Sequence, residues 1–112
     1  MIEVKRHSGG IEIKGHAGYA KPGKDIVCAA VTILIYTLLQ SLGDLTDAEF
    51  EDNIPESIGA NNTTNNDDLP FGDVVIKYGN LSEKAQALVD SFFVGVRLIA
   101  DEYPKHVAIL KK

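Results

Sequence analysis

The chain has 112 residues, enough for one domain with one core and too few for two. Hydrophobic residues make up 45%, charged residues 24% and aromatics 7%, with no tryptophan, a balance that excludes disorder throughout the chain. The net charge of -5 and a pI near 5.0 exclude the basic footprint that a general affinity for nucleic acid phosphates requires.

Ile2 and Val4, then Ile11 and Ile13, alternate with Glu3, Lys5, Glu12 and Lys14, and Ser8, Gly9 and Gly10 separate the two runs. Period-two alternation around a glycine turn predicts a hairpin with one face inward. Gly15 to Gly23 holds Gly18 and Pro22 as well and has no apolar period, which predicts a loop with wide backbone freedom. Asp25 is an N-cap for the run IVCAAVTILIYTLLQSL, apolar nearly all the way round, with Gly43 as its expected C-cap. Such a helix needs cover on several sides, from a sheet and a second helix or from a subunit interface. Its uncharged stretch, Ile26 to Gly43, is at the short end of membrane-span lengths and carries Thr32, Thr37, Gln40 and Ser41, so it reads as a buried helix.

Ala48 to Asp52 is a strand candidate, and Val74 to Tyr78 a stronger one, β-branched and bounded by Gly72 and Gly79. Pro55 to Pro70 between them contains NNTTNNDD, polar low-complexity sequence that reads as a mobile loop. From Asp44 to Asp73 there are nine Asp and Glu and no Lys or Arg, which makes either a solvated edge or a surface that steers a basic partner. Ser82 caps a second helix, in which Ala85, Leu88, Val89, Phe92, Val96, Ile99 and Tyr103 recur at three- and four-residue steps until Pro104. His106 to Leu110 reads as a last strand. The order is ββαββαβ, an α+β sandwich of two helices on a mixed or antiparallel sheet in a single domain spanning 1–112.

Cys28 is the only cysteine, so no internal disulfide forms. The N-terminus lacks the pattern of a signal peptide, and the cytoplasm is the expected location. With Asp25 as N-cap, Cys28 is the third helical residue, where unpaired amides and the helix dipole favour a thiolate. An imidazole within reach would stabilise that thiolate and return a proton to a leaving amine, and His16 is the candidate. Spacing across the glycine loop permits their contact without enforcing it. First-turn amides that Asp25 leaves over are candidate donors to an oxyanion, and that of Cys28 is either one of these or the donor to Asp25 as cap. Asp25 either caps the helix or orients His16, and Asp before an apolar helical run is the common signature of a cap. The Thr32 hydroxyl, one turn on, either reaches the site or bonds back to the Cys28 carbonyl.

Tyr19, an aromatic in a polar loop, is a candidate ligand contact. Phe92 and Phe93 read as core, or as one core and one interface residue. His7 and His106 read as surface or edge residues, and no CxxC or HxxxH spacing suggests a metal. The plain alternative is that Cys28 is one more buried helix residue, as free cysteines commonly are.

The stretch GHAGYAKPGKDIVCAAVT, residues 15–32, resembles the signature of the ribosomal-processing cysteine protease family, Prp, with its GHA segment followed by G-x-D-[IL]-VCA. The resemblance implies a cytoplasmic, cofactor-free endopeptidase. Its substrate would be a large-subunit ribosomal protein, the twenty-seventh of the L series, from which it trims a short N-terminal extension after two aromatic residues and before a small one. It also implies a homodimer with a flexible loop over the active site, and neither nucleic acid nor membrane as direct partner. Cys28 falls on the family's nucleophile, His16 on its general base and acid, Asp25 on its aspartate, and Gly15 and Gly23 on its loop glycines. Gly18 and Tyr19 lie in the same substrate loop, and Thr32 stands where the family usually has serine. The rival is a non-catalytic peptide-binding module for ribosome assembly.

Overall fold

The first fourteen residues form the hairpin that their alternation predicts. Strands β1 (Ile2–His7) and β2 (Gly10–Lys14) pair antiparallel with Val4 opposite Ile13. The computed structural model describes residues 1–15, 18, 25–54 and 73–111; the loop expected over Pro55 to Pro70 lies outside them. Beyond β2 comes β4 (Asp73–Tyr78), antiparallel, with Val74 opposite Ile13 and Ile76 opposite Ile11. The short β3 (Phe50–Asp52) closes that edge, and Asn53 extends the pairing by exchanging backbone and side-chain bonds with Val75. On the other side, β5 (Val107–Lys111) runs parallel to β1 with Val107 opposite Ile2. The sheet is mixed, in the order β3-β4-β2-β1-β5.

This register places Ile2, Val4, Ile11, Ile13, Val74, Ile76 and Val107 on one face, all buried. Their neighbours Glu3, Lys14, Asp73 and Lys77 are exposed on the other. Helices α1 (Ile26–Leu45) and α2 (Glu83–Glu102) cover the apolar face and pack against each other. Alternation therefore decides which face is covered, since a one-residue slip would turn the charged set inward.

Helix α1 buries Val27, Cys28, Val31, Ile35, Leu38 and Leu42, a stripe at three- and four-residue steps. Truncating Ile35 or Leu38 to alanine would cost about 2–5 kcal/mol through lost burial and the cavity left behind. The sheet and the second helix cover α1 from two sides, as expected, while Ile26 and Ile33 are more than half exposed. A two-layer fold presents one sheet face and one neighbouring helix, and the remaining side of α1 faces outward. By length and composition α1 could cross a membrane, but its buried stripe belongs to the core.

The expected C-cap is corrected. Gly43 lies inside the helix, and the chain turns at Thr46, the observed C-cap. The Thr46 hydroxyl donates to the Leu42 carbonyl at 2.7 Å and accepts from the Ala48 amide at 3.0 Å, so it satisfies groups on both sides of the break.

Helix α2 begins as predicted, with the Ser82 hydroxyl accepting from the Ala85 amide at 3.2 Å. It ends at Glu102, before Pro104. Phe92 and Phe93 are both buried and meet edge to face, 5.1 Å between ring centroids. The Arg6 guanidinium lies 4.7 Å over the Phe93 ring and bonds the Asp90 carboxylate at 2.6 Å, tying α2 to β1 through a cation–π contact and an ion pair.

Candidate active site

Asp25 has extended backbone, φ -86 and ψ 98, and its side chain turns back over the start of α1. One oxygen, Oδ1, accepts from the Val27 amide at 3.0 Å and from the Cys28 amide at 2.9 Å. The Asp25 carbonyl accepts from Ala29 at 3.1 Å. The residue is only 1% exposed, and a carboxylate is tolerated at such depth because donors and the positive helix end surround it. Asp25 is thus the helix cap.

Cys28, in the first turn, is 0% exposed. Its carbonyl accepts from the Thr32 hydroxyl at 2.7 Å. Of the two roles open to Thr32, the structure has the backbone bond. The Cys28 amide is held by the Asp25 carboxylate, as the cap reading expects, so it is not among the amides that Asp25 leaves over. The cap reading expects the Cys28 amide as the donor to Asp25, and the Val27 amide is what it misses, because an N-cap carboxylate reaches the second helical residue as well as the third. Here it reaches both.

Gly15, at the exit of β2, has φ +92, and a Cβ added there would meet the Met1 carbonyl oxygen at 2.3 Å. Gly18 also has positive φ, +67. Both adopt backbone that glycine takes without strain. His16, Tyr19 and Gly23 lie outside the described residues.

Elsewhere, His7 ends β1 with its Nε2 3.4 Å from Glu12 Oε1. That hydrogen bond is the main cause holding the Glu12 carboxyl below its ordinary value. His106 is half-buried just before β5. Among the described residues no group of three or more His, Cys, Asp or Glu is placed to hold a metal ion. A cleft of about 920 Å³, lined by residues including Leu45, Glu49, Phe50, Glu51 and Tyr78, lies at the far end of α1, about 26 Å from Cys28 at 1.5 Å per helical residue. Asp44, Asp47, Glu49, Glu51 and Asp52 are all exposed along this end.

Comparison with known proteins gives the class first: the chain is a cysteine protease. It belongs to the family described as cysteine protease Prp, which it matches over residues 1–108. Its fold is similar to that of an essential ribosomal processing protease Prp from S. aureus in complex with a covalently linked product peptide, at TM-score 0.78 and 18% identity over 99% of this chain and 97% of that one. The same S. aureus protease with a substrate peptide gives TM-score 0.72 and 17% identity, again over 99% and 97%. SMU.848 from Streptococcus mutans is similar at TM-score 0.67 and 26% identity, over 99% of this chain and 93% of that chain. No curated protein matches.

Proposed function

We propose that this protease removes a short N-terminal extension from a large-subunit ribosomal protein, the twenty-seventh of the L series, through an acyl-enzyme on Cys28. The observation that carries the reading is a cysteine set by an aspartate cap in the first turn of a helix, in a chain that matches the Prp family over nearly its whole length. In the proposed reaction His16 takes the thiol proton, Sγ adds to the scissile carbonyl, and the C–N bond breaks as His16 protonates the leaving amine. Water deprotonated by His16 then hydrolyses the thioester and restores the thiol. Cys28 is fully buried, so attack requires Sγ to be uncovered as substrate binds.

The substrate class draws support from the S. aureus relative, a ribosomal processing protease, and from the exposed acids at the end of α1, which suit a basic partner. The enzyme is proposed to work in the cytoplasm as a homodimer. Ile33 and Leu98, 60% and 62% exposed on the outer side of α1 and α2, are the apolar surface such a pair would cover.

The test is to incubate the protein with the extended ribosomal protein and read the products by mass. One cut after the aromatic pair is the expected result; an extension left intact would remove this ribosomal protein as the substrate. Alkylation tests the thiol independently: an activated thiol reacts through local opening of the folded protein, with a pH dependence well below that of an ordinary thiol, whereas a core cysteine reacts only on global unfolding.

A further inference from the structure

The backbone of Cys28 is held from both sides by side chains. Asp25, three residues before, takes its N–H at 2.9 Å, and Thr32, four residues after, donates to its C=O at 2.7 Å. Neither hydroxyl nor carboxylate is needed to form the helix as such. Serine and asparagine cap as well as aspartate does, and a threonine hydroxyl bonded back to the preceding turn slightly weakens a helix. The spacing D-x-x-C-x-x-x-T is nonetheless the one that brings the two side chains onto the two peptide groups flanking a single Cα, because residues four apart share a helical face and an N-cap reaches the third residue.

We propose that Asp25 and Thr32 are positioning residues that clamp the backbone of Cys28 on both sides of its Cα and so fix the direction from which Sγ meets the scissile carbonyl. The clamp acts through hydrogen bonding and not through the charge of Asp25. The oxyanion is then received by donors other than the Val27 and Cys28 amides, which the clamp keeps occupied. The inference rests on Cys28 being the nucleophile.

The experiment measures kcat, KM, the pH profile of kcat/KM and Tm for Asp25→Asn, Asp25→Ala, Thr32→Ser and Thr32→Val. The substrate is a peptide carrying two aromatic residues followed by a small one. The conservative variants Asn and Ser keep the hydrogen bonds and retain kcat within about threefold with an unshifted pH profile. Ala and Val release the clamp and lower kcat by about ten- to a hundredfold at unchanged KM, the scale of a misplaced reacting group. Thr32→Val keeps the parent's Tm, so its loss of rate is not a loss of fold. A fall on the order of 10⁴ in Asp25→Asn with intact Tm would overturn the proposal and make Asp25 the charged partner of His16. Full activity in Thr32→Val would equally overturn it. Failure of the underlying reading is distinct: Cys28→Ala would then cleave the peptide as the parent does, or the parent would not cleave it at all.

Discussion

Gly15 packs its backbone onto that of Met1 so closely that a Cβ would lie 2.3 Å from the Met1 carbonyl oxygen, at a φ of +92. The obstacle is backbone at the start of β1, where the Ile2 amide is bonded to the His106 carbonyl at 2.8 Å, so it has little room to yield. Gly15→Ala is expected to lose about 1–3 kcal/mol from backbone strain and the displaced strand end, read as a lower Tm. Because residue 16 follows directly, activity should fall further than stability alone explains. An unchanged Tm would mean that the contact yields freely.

Gly43 makes the opposite prediction. It lies inside α1 without positive φ, and a Cβ there meets nothing within 4 Å. Gly43→Ala should therefore raise stability by about 0.5–1 kcal/mol, a gain of about 2–4 °C in Tm for a domain of this size. A loss of stability would restore Gly43 as the helix cap.

Asp90 accepts from Arg6 and Gln86, and these bonds, Arg6's first, hold its carboxyl below its ordinary value of 3.8. A folded pKa lying below the unfolded one gives stability that is present above the ordinary value and fades as pH falls through the folded value. Parent and Asp90→Asn should differ in urea midpoint near neutral pH, and the gap should close as the pH is taken well below 3.8. Salt should narrow it too, because the pair is exposed and screening acts on such pairs. A gap that persists in acid would assign the effect to the neutral bond with Gln86.

Glu49 and Glu51 are exposed at the acidic end of α1 and β3. If this surface steers a basic substrate, Glu49→Lys with Glu51→Lys raises the apparent KM at low ionic strength, leaves kcat unchanged, and loses its effect in high salt. A KM that stays put at low salt would make these acids an ordinary solvated edge.

Much of the fold is written in local pattern. The alternation of Ile2, Val4, Ile11 and Ile13 specifies the hairpin and its inward face, and Ser82 with Pro104 brackets α2. The parallel pairing of β5 with β1 is not local, because it joins residues about a hundred positions apart and depends on how the helices return the chain. The end of α1 was misread because glycine after an apolar run is the usual stop, whereas here Leu42 still packs inward and Thr46 supplies the polar break. What meets the remaining side of α1 is not legible either, because an apolar residue such as Ile33 looks the same in sequence whether it meets core, partner or water.

At the site, the Asp25–Cys28 spacing specified a cap. Only the distances reveal that one carboxylate oxygen takes the Val27 amide as well as that of Cys28.

The most direct test of the account is to mix the parent with the extended substrate, quench in acid within the first turnover, and determine the mass of the peptide that contains Cys28. An adduct on Cys28 equal to the acylated N-terminal fragment is the predicted result, with neither adduct nor cleavage in Cys28→Ala. Cleavage that proceeds at the parent's rate in Cys28→Ala would contradict the account and move the nucleophile elsewhere in the chain.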